Sequence, residues 1–441
     1  MTKNLGIVVL IAILALLYIP QLFMQGMFVD GTLYGSVSRN FSVSSNLFIL
    51  AETHDEYGRF IGHPPLLFWL QGLLFKLFGD HFFVERIFCF CVFIFSLIGL
   101  SKLMSFIGIK KNHKWIGLVL FSVMPLSYWG QMQNLIEPLL SLFSLGSVYL
   151  LMKDNQKPNW KFLGLATILF VAAIMCKGFV ALFVLTAPFF SWIIFKSSFK
   201  RALLQYCFLL LGLFILIISL YLYEPANDYF SQYFNEQFIK SLAGKREVNP
   251  AGRFHLLERL TSEVLVIFIP ALLVLFIRRK KLNSMSSTNK KWIVFMLCIG
   301  FSASLPILVS PKQMGFYLIP SIPYFILAAS VMYVHLLRNI NLFSKIKSTV
   351  NGVIGGGVFA IGISIAVFNF GSYQRDAELL KAIDRYAANH PEMKFCNVTR
   401  PQMTNAMIAY FQRRHGVSLV SKGDCKCNCH LGKEKVIPNQ P

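Results

Sequence analysis

Apolar runs of about 15–25 residues, dominated by Leu, Ile and Phe, recur along most of this 441-residue chain. As helices such runs match the ~30 Å hydrocarbon core of a bilayer, and they lack the alternation of outer-membrane strands. With 55% hydrophobic and only 14% charged residues, a water-soluble body has too little polar surface to cover its core. A soluble enzyme is therefore excluded, and the expected fold is an all-α polytopic membrane protein.

The runs predict about eleven crossings, near 5–25, 82–104, 115–131, 138–152, 161–176, 179–195, 202–223, 263–277, 292–309, 316–337 and 348–370. The apolar stretch 64–79 reaches only about 24 Å as a helix and is read as juxtamembrane. The net charge of +22 lies in clusters between the spans, a pattern of topology and not of nucleic-acid binding. Lys110, Lys111 and Lys114, then Lys153, Lys157 and Lys161, then Lys196, Lys200 and Arg201, then Arg278–Lys281 with Lys290 and Lys291 share one side only if 64–79 does not cross. The amino terminus is then expected to be cytoplasmic and the carboxyl terminus external, with the first span retained. On this assignment Asp154 is the only acidic residue on the inner side.

The expected organisation is a transmembrane body, 1–370, with external loops 26–63 and 224–262, followed by a small external α/β appendage, 371–441. The appendage reads as helices near 378–390 and 402–414 and strands near 394–398 and 417–420. Five cysteines look like buried singles: Cys89, Cys91, Cys176, Cys207 and Cys298. Cys396, Cys425, Cys427 and Cys429 lie in the tail; Cys425-Lys426-Cys427-Asn428-Cys429-His430 has an unusual spacing for zinc, and an oxidising compartment would favour disulfides there. Asn397-Val398-Thr399 matches a glycosylation sequon.

The residues that carry chemistry all fall on the predicted outer side. Asp30, directly after the first span, sits where desolvation raises a carboxylate's basicity; an ordinary helix N-cap is the bland reading. His63, before Pro64-Pro65-Leu66-Leu67-Phe68-Trp69, lies at headgroup level and suits a phosphate or metal contact, or is a solvated loop residue. Glu137, in Leu135-Ile136-Glu137-Pro138-Leu139, is an ionisable group at the edge of a span, or a carboxylate favoured by a helix dipole. Lys177, in Cys176-Lys177-Gly178, and Lys312, in Pro311-Lys312-Gln313, are outer-edge cations suited to a lipid phosphate; snorkelling explains them more simply. The loop 224–262 contains Tyr233-Phe234-Asn235-Glu236-Gln237-Phe238 followed by Lys240, Lys245, Arg246, Arg253, His255 and Arg259, and reads as an interfacial amphipathic helix over a membrane-level site.

In order, these segments resemble the integral-membrane glycosyltransferases of the C fold, in the branch holding bacterial lipid A aminoarabinose transferases and dolichyl-phosphate-mannose protein mannosyltransferases. The resemblance covers roughly residues 5–340. It rests on Asp30 with Tyr34, the Pro-Pro-Leu-Leu-Phe-Trp-Leu helix ending in Phe75-Lys76-Leu77-Phe78-Gly79, Arg86, Glu137-Pro138-Leu139, Lys177-Gly178, Phe234–Phe238, and Lys312 with Tyr317-Leu318-Ile319-Pro320. It implies transfer of a sugar from a polyprenyl-phosphate donor to a lipid, glycan or protein acceptor at the outer face of a bacterial inner membrane, with inversion, as in cell-envelope and lipopolysaccharide biosynthesis. By the resemblance Asp30 and Glu137 are the catalytic carboxylates, and Tyr34, His63, Arg86, Lys177, Glu236, Lys312 and Tyr317 bind substrate. Three departures from the family pattern leave the sugar and acceptor open: Gly31 follows Asp30 where a second acid is usual, His63 replaces a Lys, and Glu137 replaces an Asp. No protein cofactor is implied; Asp, Glu and His of the first and fourth external loops offer donors to a divalent cation, but no spacing demonstrates one. A flippase of lipid-linked sugar, or a non-catalytic scaffold, remains the competing reading, although no internal repeat is present.

Overall fold

A computed structural model describes residues 5–44, 46–53, 58–240, 252, 254–277, 284–309, 312–337, 348–397 and 404–420. The chain is a multi-span helical bundle. Helix α1 (Leu5–Ile13) continues through a π-turn and a 3₁₀ turn to Phe23, and α2 (Val29–Ser42) packs against α3 (Leu66–Phe78). There follow α4 (Val84–Phe106), α5 (Lys114–Val123), α6 (Pro125–Gln131), α7 (Ile136–Gln156), α8 (Trp160–Lys177), α9 (Thr186–Phe195) and α10 (Phe199–Leu222). Next come α11 (Glu224–Tyr233), α12 (His255–Ile277), α13 (Ser287–Ser304), a 3₁₀ segment Gly315–Ser321 leading into α14 (Ile322–Leu337), and α15 (Ser348–Phe368).

Among the described residues, seven helical stretches are long and apolar enough to cross a membrane, against about eleven crossings expected. One of the seven, Trp160–Phe195, has 36 residues and takes in two expected spans, with Gly178 at φ 61° between them. Three expected spans do not qualify as single stretches. That at 115–131 is cut at Met124–Pro125 into α5 and α6, because Pro cannot continue a helix. Those at 263–277 and 348–370 fall in α12 and α15. The stretch 64–79 forms the 13-residue α3, too short to span as a helix.

Helices α7 and α8 are the most closely packed pair, and they separate two charged clusters. At one end of α7 Asp154, fully buried, is ion-paired with Arg201 and accepts from Gln205 at 2.9 Å. Glu137 lies in the first turn at the other end, about 26 Å away at 1.5 Å per residue. The main core fills the space between, with Phe93, Phe121, Phe170, Phe295 and Phe325 among its fully buried side chains.

The segment after α15 packs a small hydrophobic cluster of its own and is bonded back to the body. It holds α16 (Ala377–Ala388), α17 (Asn405–Tyr410) and two three-residue strands, β1 (Phe395–Asn397) and β2 (Ser418–Val420), paired in parallel with Phe395 opposite Ser418. Its chain bonds back to the body: Gln25 N–H donates to the Ser372 carbonyl at 2.7 Å, and Ser36 Oγ donates to the Ala409 carbonyl at 3.0 Å. Arg413, 7% exposed, is ion-paired with Glu85 of α4, 4% exposed, and with Asp80 at 2.7 Å. Buried ionic contacts of this kind fix the register of one element on another. Of the five body cysteines, Cys89 and Cys176 are buried as expected, whereas Cys91 and Cys207 lie on exposed helix faces; periodicity, not apolar context, decides which side a helical residue takes. The Cys425–His430 cluster, Val398 and Thr399 of the sequon, His54, Asp55, Lys245, Arg246, Arg253 and Arg278–Lys281 lie outside the described residues.

Candidate active site

Asp30 is the second residue of α2, in its first turn, and is not the N-cap: Phe28 takes that position, without a side-chain cap. Its carboxylate therefore lies in the positive field of the helix start. What brings this turn to Glu137 is a close backbone approach. A Cβ on Gly31 would fall 1.9 Å from the Gln133 carbonyl oxygen, so only glycine lets α2 meet the chain three residues before α7. The gap is sealed by hydrogen bonds. Phe28 N–H donates to Gln133 Oε1 at 2.7 Å, and Asn134 Nδ2 donates to the Gly31 carbonyl at 2.8 Å. Asn134 stands in the left-handed region at φ 52°, a conformation Asn tolerates, and accepts from Gln71 of α3 at 2.8 Å. Gly31 is thus a packing requirement beside Asp30.

Glu137, 2% exposed, is ion-paired with Lys177, the last residue of α8, itself 10% exposed. The Lys177 ammonium also lies over the Tyr317 ring at 3.9 Å and over the Phe316 ring at 5.8 Å, a cation–π box. After Lys177 the chain turns at Gly178, where a Cβ would come within 2.8 Å of the Tyr233 hydroxyl of α11. Burial pushes the Asp30 carboxyl above the usual carboxylate range, the Glu137 charge adds to the rise, and Lys177 and Lys312 oppose it. Burial likewise raises the Tyr34 phenol, with Asp30, Glu137 and Tyr317 contributing. Residues from four distant parts of the sequence therefore share one electrostatic environment: Asp30 with Tyr34, Glu137, Lys177, and Lys312 with Tyr317.

Tyr34 extends the cluster. Its hydroxyl lies 2.9 Å from His63 Nε2, and the Tyr229 hydroxyl of α11 donates to the His63 carbonyl at 2.6 Å. Helix α11 is tied to the same loop by an Arg59–Asp228 ion pair at 2.7 Å. Helix α11 thus joins 58–63 to the Lys177 turn, while the expected amphipathic segment from Tyr233 onward continues as a π-turn, Phe234–Ile239, and its residues 241–251 lie outside the described residues.

Two predicted binding residues lie elsewhere. Arg86 is fully buried and donates to three backbone or amide oxygens: Met132 at 2.9 Å, Gly26 at 2.6 Å and Gln374 Oε1 at 2.9 Å. It fastens the two segments that lead into Asp30 and Glu137. Glu236 lies past α11 on a π-turn, half exposed and paired with Lys240 one turn on. Sequence reading missed Gln133, Asn134, Gln71 and Tyr229; only the polar run Gln131-Met132-Gln133-Asn134 between apolar spans marked two of those positions as unusual. Among the described residues no group of three or more His, Cys, Asp or Glu side chains is placed to hold a metal ion, and Glu137 is engaged by Lys177.

Residues 62–223 match the dolichyl-phosphate-mannose-protein mannosyltransferase family. No curated protein sequence matches the chain. Among solved structures the chain is similar to ArnT from Cupriavidus metallidurans bound to undecaprenyl phosphate, with a TM-score of 0.67 at 13% identity, covering 95% of this chain and 86% of that one. The apo form of the same protein gives a TM-score of 0.62. The apo Archaeoglobus fulgidus oligosaccharyltransferase gives 0.57 at 10% identity, covering 95% of this chain and 64% of that one. At such identities the likeness is one of fold. The chain is thus identified as a multi-span membrane protein with the fold of ArnT, whose segment 62–223 carries the sequence signature of the dolichyl-phosphate-mannose-protein mannosyltransferases, the relationship its motifs predicted.

Proposed function

We propose that the protein is a glycosyltransferase that moves a sugar from a polyprenyl-phosphate donor to an acceptor at the outer face of a bacterial inner membrane. The observation that carries this reading is the meeting of two carboxylates, two lysines and an aromatic box at one end of the bundle. The solved relative of similar fold binds undecaprenyl phosphate, which supports the donor class. The sidedness rests on the basic clusters, which oppose the Asp30 end of the bundle.

In the proposed reaction an acceptor oxygen, of a hydroxyl or a phosphate, attacks the anomeric carbon on the face opposite the carrier phosphate. The new C–O bond forms as the sugar–phosphate C–O bond breaks, so the anomeric configuration inverts and the electron pair leaves on the phosphate. Lys177 and Lys312 neutralise that charge as it develops, where fixed cations act most strongly in a water-poor site. Asp30 orients the acceptor or takes its proton, and its raised pKa makes it the stronger base of the ordinary carboxylates. Tyr34, His63 and Tyr317 line the site as donors and ring faces. Arg86 acts at a distance, by holding residues 26 and 132.

Mass spectrometry of lipids and surface glycans from cells with the gene, without it, and with Asp30→Asn tests the reading. Loss of the same sugar in the deletion and in a normally expressed variant is expected, and the missing sugar names the product. An unchanged glycan profile with polyprenyl-phosphate sugar accumulating on one leaflet would replace the transferase with a flippase.

A further inference from the structure

We infer, on the basis of that reading, that Glu137 competes with the donor phosphate for the Lys177 ammonium and thereby controls release of the lipid phosphate left after transfer. The lysine that must neutralise the phosphate already has a partner, and that partner cannot swing away. Glu137 is the second residue of α7 and is followed by Pro138, which restricts the backbone on either side of it. Its side chain is 2% exposed, so water does not take it up.

Lys177 is equally confined. It ends α8 at the Gly178 turn, where the Tyr233 hydroxyl lies so close that a Cβ on Gly178 would fall 2.8 Å from it. The rings of Tyr317, at 3.9 Å, and Phe316, at 5.8 Å, hold the ammonium from the side. Ring faces satisfy part of a desolvated cation's need for negative charge but donate nothing to a phosphate. The ammonium has three N–H groups, so a phosphate reaching it either displaces the Glu137 carboxylate or sits beside it. Displacement leaves a buried carboxylate without its cation, and sitting beside it places two negative charges on one confined cation; both oppose binding. Glu137 is therefore a residue that weakens donor affinity.

The advantage lies in the product. The donor phosphate is a diester with one negative charge. The departing lipid phosphate is a monoester whose second ionisation falls near pH 6, so it carries nearly two charges at pH 7. Lysines alone would hold the product more tightly than the donor, and turnover would stall on it. A resident carboxylate repels the more highly charged species more, which shifts the balance back towards exchange. In this assignment Asp30 handles the acceptor while Glu137 acts on the leaving group through Lys177, as a positioning residue.

The test uses the full chain in lipid nanodiscs with undecaprenyl phosphate as probe, its Kd read by tryptophan fluorescence, and steady-state kinetics with the donor identified in the glycan experiment. Glu137→Gln is expected to bind the probe about 10-fold more tightly, with KM and kcat both lowered and product inhibition stronger in proportion. Lys177→Met is expected to bind it at least about 10-fold more weakly than the parent chain. Should Glu137→Gln fail to fold, Glu137→Asp withdraws the carboxylate by one methylene and is expected to tighten binding roughly 3-fold. Unchanged or weaker binding by the folded Glu137 variants, with the Lys177→Met loss intact, overturns the inference and leaves the transferase reading standing. Failure of the parent chain to bind the probe at all overturns the transferase reading itself.

Discussion

Replacing Gly31 by Ala tests the geometry of the site with one methyl group. An added Cβ would lie 1.9 Å from the Gln133 carbonyl oxygen, where ordinary contact begins at 3.4 Å, so α2 and the 133–134 segment must separate by about 1.5 Å. Neither partner can give locally, because the obstacle is backbone and because Phe28 and Gly31 are both bonded to residues 133 and 134. Overpacking of this kind costs about 1–3 kcal/mol, against which Ala gains up to about 1 kcal/mol over Gly in a helix. Net stability should fall by no more than about 2 kcal/mol, which a multi-span bundle tolerates. Activity should fall much further, by about 100-fold, since Asp30 is the neighbouring residue and a displacement near 1 Å of a catalytic group has that effect. The assay is sugar transfer from a polyprenyl-phosphate donor by the purified variant, alongside thermal unfolding in detergent. A Gly31→Ala protein with full activity and unchanged melting would show that α2 does not need this approach, and the geometric account of the site would fall.

Other expectations follow from the same contacts. Asp30 should be ionised to act as a base, and its raised pKa places the acid limb of the kcat/KM profile above the usual Asp range, with activity lost as pH falls through it. Lys312→Met removes a cation that holds this pKa down, so the limb should move to still higher pH; a shift the other way refutes the electrostatic grouping. Arg413→Met leaves Glu85 buried without its cation and should cost about 3–5 kcal/mol in thermal unfolding, with much of the loss recovered by adding Glu85→Gln. If the single variant melts like the parent, the tail is not held by this pair. Tyr34→Phe removes the hydroxyl facing His63 and should reduce transfer several-fold, at about 1 kcal/mol for a net hydrogen bond, with donor KM measured to separate binding from turnover.

Asp30, Glu137, Lys177, Lys312 and Tyr317 could be read from sequence because membrane solvation makes an ionisable group at the end of an apolar run conspicuous. Arg86 was equally conspicuous, but that signal does not say which groups it holds. A buried guanidinium that fastens backbone carbonyls and one that grips a phosphate look alike until its partners are seen. Gly31 shows the same limit: its role is set by Gln133, a residue 102 positions away. The tail's short strands follow local composition, but its docking through Arg413 depends on Glu85 and Asp80, which no local pattern connects to it.

Sequence alone determined that this chain lives in a membrane, which of its segments are helical, and which charged residues sit at span ends, because hydrophobic length and basic clustering are local properties read by the bilayer. Tertiary structure decided which of those ends meet. It paired Lys177 with Glu137, brought Asp30 to both through a glycine contact, and turned Arg86 inward as a clamp. Packing is the physical reason: contacts between residues a hundred or more positions apart depend on the fit of helix surfaces, which no single segment of the sequence contains.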